Sequence, residues 1–241
     1  HMDGSITLDN KDKITEFLTE HGMRDCNPVR RPLTKENLMD MVNNTGDPFN
    51  AGELKRYKTI IGQGNWLAQT THPTLATATS ILAGYSKSPT TSCVPVLHHY
   101  LRYLQHAKDY ALVNQPGNTE GLTVESDSDW AGLYSAVGEV RSRSGTQVNY
   151  NGMATGWISK LQKCMGTSMK PEFEDLFAEG KLDEYEIATA SAESELHAAA
   201  ESLRLGLHIQ HIAQELRLPV QETIMMKVDS TAAIGKIQGP R

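Results

Sequence analysis

Three carboxylates stand at positions where their side chains could meet. Asp127 and Asp229 each come at the end of a predicted strand, and Glu195 lies in the first turn of a predicted long helix. Close carboxylates raise one another's pKa unless cations neutralise them, and hard divalent ions such as Mg²⁺ prefer oxygen ligands. Two such ions about 4 Å apart can cleave a phosphodiester, because one activates water and the other stabilises the leaving oxygen. The alternative is that these are three ordinary solvated acids among the 29 in the chain.

The elements that must position these acids are predicted for the second half of the chain. Strands are predicted over 122–124, 146–150, 155–161 and 223–228, and a helix over 192–216. Asn151-Gly152 between the second and third strands is a strong hairpin signal, and Ser191 is a plausible helix N-cap. The order of three strands, a helix and a strand predicts a mixed α/β fold with an antiparallel start.

The first half of the chain has apolar residues at helical spacing. Helices are predicted over 11–21, from Glu53, after Pro73 and after Pro95. An irregular stretch around Asn27-Pro28, a loop over 43–50 and a linker over 114–119 separate these patterns. We therefore expect a small helical bundle joined by a short linker to the α/β region.

Composition excludes several classes of protein. The three cysteines are far apart and form no CxxC pair, which excludes a disulfide scaffold and a thiolate zinc site and fits a reducing compartment. No apolar run approaches the roughly 18 residues that a membrane span needs, so we expect no membrane partner. Hydrophobic residues make up 39% of the chain and charged residues 22%, as in ordinary globular proteins.

The net charge of −6 is concentrated in one short segment. Residues 172–186 hold seven acids against one lysine, and the rest of the chain is neutral. A local basic groove is therefore compatible with the composition. The candidates for phosphate contacts are Arg141, Arg143, Lys160 and Lys163. The alternative is that these four are ordinary solvated charges.

Motifs in the second half resemble the ribonuclease H domain of copia-type retrotransposon polyproteins. In chain order, residues 126–132 (SDSDWAG) resemble SDADWAG, 143–146 (RSGT) resemble part of KSTSGY, 156–163 (GWISKLQK) resemble ISWKSKKQ, 190–198 (ASAESELHA) resemble SSTEAEYIA, and 228–234 (VDSTAAI) resemble CDNQSAI. The agreement in order makes the set far more specific than any single motif.

The first half resembles the segment of the same polyproteins that follows the polymerase palm. Residues 21–29 (HGMRDCNPV) are similar to FGMxDCKPV, 57–68 (YKTIIGQGNWLA) to YRSLIGSLLYLA, and 101–104 with 108–110 to LRYLKGTKDY. The resemblance implies a mainly helical reverse-transcriptase thumb or connection region over 6–119. It implies an α/β ribonuclease H-like domain, a mixed sheet with helices, over 120–241.

The resemblance also implies an activity and a ligand set. Asp127, Glu195 and Asp229 match the family's metal-binding acids, with Asp129 and Glu193 as the nearby alternatives. We rank Asp129 second because a continuing strand is expected to turn it to the opposite face. The implied reaction is two-metal cleavage of the RNA strand in RNA–DNA hybrids during reverse transcription. It would use Mg²⁺ or Mn²⁺ and form no covalent enzyme intermediate.

Some features depart from the family pattern. The polymerase motif Tyr-x-Asp-Asp is absent, the acidic segment over 165–187 is longer than the family spacing, and a further family acid is not met before Arg241. We therefore expect weak or absent cleavage by this chain alone, better with Mn²⁺ than with Mg²⁺. The alternative function is a non-catalytic or domesticated ribonuclease H-like binding module.

The resemblance implies partners and a place of action as well. The expected partners are the RNA–DNA hybrid and the polymerase portion of the same polyprotein. The expected location is intracellular, in a cytoplasmic retroelement particle or in the nucleus.

Overall fold

The computed structural model of the chain describes residues 3–43, 46–129, 141–166, 187–188 and 191–239. It divides into two units, His1–Val113 and Asn114–Arg241. This division falls a few residues before the predicted boundary after residue 119. The acidic segment over 165–187 lies outside the described residues except at 165, 166 and 187.

The first unit is mainly helical. Its elements are β1 (Ile6–Asp9), α1 (Lys11–Glu20), α2 (Lys35–Asn43), α3 (Ala51–Thr70), a 3₁₀ turn (Pro73–Leu75), α4 (Ala76–Gly84), α5 (Cys93–Ala107) and β2 (Ala111–Asn114), which pairs with β1. The predicted helices correspond to α1, α3, α4 and α5. The helix α2 and the small sheet of β1 and β2 were not predicted.

Side-chain capping and core packing hold these helices. The Asn50 side chain accepts hydrogen bonds from the first turn of α3, and Glu53 accepts one from the Asn50 N–H, which completes a capping box. The apolar faces of α1, α3, α4 and α5 then share one core. Within it the Tyr57 hydroxyl donates to the Leu82 carbonyl at 2.6 Å, so this buried polar group is satisfied.

The second unit is built on a five-stranded mixed sheet. Its elements are β3 (Leu122–Asp129), β4 (Arg141–Tyr150), β5 (Met153–Gly166), β6 (Ile187–Ala188), α6 (Ser191–Glu215), β7 (Met225–Val228) and α7 (Thr231–Gln238). The strand order is β6-β5-β4-β3-β7. The β3–β4 and β4–β5 pairs are antiparallel, whereas β7 runs parallel to β3 and β6 parallel to β5. The prediction of a mixed α/β fold with an antiparallel start is confirmed.

A tight turn at Asn151-Gly152 joins β4 to β5, as the sequence predicted. Both residues have positive φ, 49° and 80°, which is the backbone of a type I′ hairpin. The Asn151 side chain also accepts a hydrogen bond from the Gly121 N–H at 3.0 Å. The hairpin is therefore tied to the start of β3, the strand that carries Asp127.

The long helix α6 covers one face of the sheet. Val124 and Val148 are fully buried beneath it, and a Cβ at Gly206 would lie 2.5 Å from Val124 Cγ2. The helix begins at Ser191 itself, so the prediction of Ser191 as the residue before the helix was wrong by one position. None of the helices in the described ranges combines the length and apolar character that a bilayer crossing demands.

Candidate metal centre

The structure brings Asp127, Glu195 and Asp229 together at one edge of the sheet. The parallel register of β3 and β7 pairs Ser126 with Val228, and the residue after each of them is an aspartate. Glu195 reaches the same place from α6. One carboxylate oxygen of each residue lies within 4.8 Å of the others. The three acids singled out by their positions in the sequence are therefore neighbours in space.

Their local positions differ slightly from the predicted ones. Asp127 lies within β3, which continues to Asp129, rather than after the strand. Glu195 lies just past the first turn of α6, because the helix starts at residue 191. Asp229 directly follows β7, as predicted.

Glu195 is the buried member of the group. Its residue is 8% exposed, whereas both aspartates are exposed. Burial, with a further contribution from the carboxylates of Asp229 and Asp127, raises the pKa of Glu195 to about 7. The Ser128 N–H, which donates to Asp127 Oδ1, lies close enough to act in the opposite direction and lower the pKa of Glu195, because it favours the ionised carboxylate. Glu195 is therefore poised between its charged and neutral forms near neutral pH.

The chemistry of the group fits a divalent cation. Among the described residues, the Glu195 Oε2 atom is buried and has no hydrogen-bond partner, which is costly unless a cation lies beside it. Oxygens that bind one ion at 2.0–2.6 Å can be at most about 5 Å apart, so the observed spread fits a single coordination sphere. The three carboxylates can thus hold a hard divalent ion.

The two alternative acids do not belong to this group. Alternating side chains along a strand put Asp129 on the same face as Asp127, so the expectation of an opposite face was wrong. Its carboxylate is nevertheless not one of the three grouped together. Glu193 lies in the first turn of α6, where an acid is favoured by the helix dipole.

A buried polar cluster beneath the acids was not found by sequence reasoning. The Gln162 side chain of β5 contacts Ser128 of β3, Ser144 of β4 and Ser194 of α6. The hydroxyls of Ser128 and Ser194 also contact each other. The available signal was a run of polar residues on the sheet face that α6 covers, where apolar residues would be expected.

The structure describes the side chains of two of the four basic residues predicted to contact phosphates, Arg143 and Lys160. The side chains of Arg141 and Lys163 lie outside the described part of the structure. Arg143 is 8% exposed, and Lys160 pairs with Glu201 of α6 at 2.8 Å. In the register of β4 and β5, Lys160 lies opposite Ser144, so it shares the α6-covered face while Arg143 points to the other face. Contact of the four basic residues with phosphates stays a prediction.

Comparison with known proteins finds sequence similarity to transposon polyproteins. It is 28% identical over 158 residues, 66% of its length, to a retrovirus-related Pol polyprotein from transposon RE2 of Arabidopsis thaliana. It is 28% identical over 160 residues to the polyprotein from transposon RE1 of the same plant. It is 23% identical over 231 residues, 95% of its length, to the polyprotein from transposon TNT 1-94 of Nicotiana tabacum. No protein-family model and no solved structure matches it.

The chain spans only a small part of these relatives. It covers 10% of each Arabidopsis polyprotein and 15% of the tobacco one. The resemblance to copia-type polyproteins is confirmed at this level. The chain is thus a relative of a short stretch of the retrovirus-related Pol polyproteins of plant transposons.

Proposed function

We propose that the second unit is a ribonuclease H-like, metal-dependent endonuclease that cleaves the RNA strand of RNA–DNA hybrids. The observation that carries this proposal is the carboxylate group of Asp127, Glu195 and Asp229 at one edge of a mixed sheet. The order β3, β4, β5, α6, β7 is compatible with a ribonuclease H-like fold. The sequence relation to Pol polyproteins supports reverse transcription as the setting.

The residues of the site have separable tasks. Asp127 and Asp229 are exposed and supply carboxylates on the side open to a substrate. Glu195 supplies the buried carboxylate and anchors the ion against α6. A divalent ion held there would offset most of the negative charge of the three carboxylates, and it would supply activation of water and stabilisation of a developing oxyanion during phosphodiester hydrolysis. Mg²⁺ and Mn²⁺ are the ions that such an oxygen-ligand set favours.

The first unit is proposed to be the thumb or connection region that precedes this domain. Two observations support the assignment: the unit is mainly helical, and the match to the tobacco polyprotein runs through 95% of the chain. A helical unit of this kind would contact the phosphate backbone of a hybrid or the polymerase portion of the same polyprotein.

Cleavage of a labelled hybrid tests the proposed activity. The sequence predicts weak or absent cleavage by this chain alone, but the proposal requires that cutting of the RNA strand be detectable. We expect this cutting to be slow, to leave the DNA strand intact, and to be faster with Mn²⁺ than with Mg²⁺. The reason for the preference is that Mg²⁺ demands near-ideal octahedral geometry. Single-stranded RNA and duplex DNA of the same sequence serve as substrate controls, and products are resolved on a denaturing gel.

A matched variant distinguishes this activity from that of a contaminating nuclease. Asp127→Asn keeps the size of the side chain but removes its negative charge. This variant should abolish cleavage while leaving hybrid binding measurable. If the unaltered chain binds hybrid and leaves the RNA intact with both metals, the endonuclease proposal fails. That result would favour the non-catalytic binding module.

A further inference from the structure

We propose that Gln162 is a positioning residue that holds Asp127 and Glu195 at the spacing needed to bind a divalent ion. The inference rests on the proposed metal site and extends it to a residue outside the carboxylate group, which is hydrogen-bonded to serines. Gln162 lies on β5, is 3% exposed, and makes its contacts with three other elements.

The contacts of Gln162 join two strands and a helix. Its amide nitrogen donates to Ser144 Oγ at 2.9 Å, to the Ser194 carbonyl at 2.9 Å and to Ser128 Oγ at 3.2 Å. Its amide oxygen accepts from Ser194 Oγ at 3.1 Å. The two N–H bonds of the amide are shared among these three acceptors, and the amide oxygen serves the fourth contact. The network leaves neither end of this buried amide without a partner.

Two of these contacts are adjacent to the proposed metal ligands. Ser128 directly follows Asp127, and its backbone N–H donates to Asp127 Oδ1 at 2.8 Å. Ser194 directly precedes Glu195 on α6. The hydroxyls of the two serines also contact each other, which closes the ring between strand and helix. A shift of either serine would therefore change the separation of the Asp127 and Glu195 carboxylates.

Removing the amide would loosen this arrangement. A side chain of similar size without polar atoms would leave the buried polar groups of Ser144 and Ser194, and the half-buried hydroxyl of Ser128, with fewer partners. Because buried polar groups without hydrogen-bond partners are costly, these groups would form other hydrogen bonds. The first turns of α6 would then shift relative to β3. Residues that hold metal ligands from behind commonly change metal affinity by about 10- to 100-fold when replaced.

The same sheet and helix offer a matched control. Thr146 of β4 and Ser202 of α6 share a buried hydrogen bond of 2.7 Å. It also links the sheet to α6, but it lies about two turns along the helix from Glu195 and touches none of the three acids. Loss of this bond should lower stability without moving the carboxylates. The comparison separates a positioning role from a purely structural one.

The test is the affinity for Mn²⁺, measured on the full chain by the EPR signal of free Mn²⁺. Gln162→Met should weaken binding by about tenfold or more, whereas Ser202→Ala should leave it within about twofold of the unaltered chain. Asp127→Asn, measured beside them, should remove the binding and so establish which site is observed. Circular dichroism on each variant establishes that it is folded.

The results of these measurements distinguish the positioning role of Gln162 from the proposed metal site. Equal affinity in Gln162→Met and the unaltered chain would overturn the positioning role and leave the metal site intact. Absence of Mn²⁺ binding by the unaltered chain would overturn both the proposed function and this inference. If Gln162→Met does not fold, Ser144→Ala takes its place, since it removes one acceptor of the amide and touches no carboxylate. An affinity for Ser144→Ala equal to that of Ser202→Ala would then overturn the role.

Discussion

Among the three carboxylates of the site, Glu195 has the environment that most disfavours a negative charge. It is the buried carboxylate of the group, and within the described residues its Oε2 atom has no hydrogen-bond partner. Asp127 and Asp229 add two further charges within a few ångströms. A purely structural position would not favour an acid there, because an apolar or amide side chain would be less costly. The residue makes physical sense as a ligand for a cation.

The ion-free protein should therefore be stabilised by Glu195→Gln at alkaline pH. The pKa of Glu195 in the folded state is raised to about 7, above its ordinary value. Its contribution to stability is thus fully present below about pH 4.5 and is lost as pH rises through about 7. Denaturant unfolding in EDTA should show the variant more stable by on the order of 2 kcal/mol at pH 8, with little difference at pH 4.5. A variant less stable than the parent at pH 8 would show that Glu195 is stabilised in its charged form.

The same ionisation should govern affinity for the metal. Protons and cations compete for Glu195, so Mn²⁺ affinity should fall as pH is lowered from 8 to 6. Calorimetric titration across this range should also detect proton release on binding. Binding that is independent of pH would mean that Glu195 does not contact the ion.

At the scale of elements, the Tyr100 side chain of α5 approaches α3 so closely at Gly64 that the packing restricts the residue at this position. A Cβ at Gly64 of α3 would meet the hydroxyl of Tyr100 and lie 3.1 Å from its ring. Tyr100 is fully buried and hydrogen-bonded to Thr79, so it cannot move aside easily. Glycine is required at this position by packing, although it weakens an isolated helix.

Gly64→Ala should therefore destabilise the first unit by about 1–3 kcal/mol, because it overpacks a closed core. The control is Gly62→Ala on the same helix, where nothing lies within 4 Å of the added methyl group. That change should stabilise the unit by about 0.5–1 kcal/mol through helix propensity. Urea unfolding of both variants measures the difference. Stabilisation by both substitutions would contradict the packing described for Tyr100.

Elements with strong local signals could be predicted from the sequence. The helices α3 and α5 show apolar residues at helical spacing, and Asn151-Gly152 specifies the type I′ turn between β4 and β5. Shorter elements were missed because few residues carry their pattern. The eight-residue α7 is an example, although Ser230 caps it by accepting a hydrogen bond from the Ala233 N–H.

The candidate site was predictable to the extent that it consists of chain-local motifs. Asp127, Glu195 and Asp229 each lie near the end of a strand or helix. The resemblance to the ribonuclease H domain indicated the same three acids as metal ligands. The role of Gln162 could not be predicted, because its contacts join positions from Ser128 to Ser194 that only the fold brings together. The faces of Arg143 and Lys160 likewise depend on strand register.

At the scale of the whole molecule, the proposed site belongs to one unit. Asp127, Glu195, Asp229 and Gln162 all lie in Asn114–Arg241, whereas the large apolar core built around α3 and α5 lies in His1–Val113. A ligand stabilises those parts of a protein that must be folded to bind it. The effect of a divalent ion should therefore be unevenly distributed along the chain.

Hydrogen exchange followed by mass spectrometry should show this distribution. Mg²⁺ should slow exchange in peptides from β3, β7 and the start of α6, and should leave peptides from α3 and α5 unchanged. The Asp229→Asn variant is the control and should lose the protection. Equal protection of α3 and α5 would mean that the ion acts elsewhere or through both units.

Anomalous diffraction from crystals soaked in Mn²⁺ tests the central claim most directly. The account predicts a Mn²⁺ peak bounded by Asp127, Glu195 and Asp229, with metal–oxygen distances of about 2.0–2.6 Å. The peak should disappear in Asp127→Asn crystals soaked under the same conditions. Crystals above pH 7 that show the three carboxylates free of metal, or Mn²⁺ bound only elsewhere, would contradict the account.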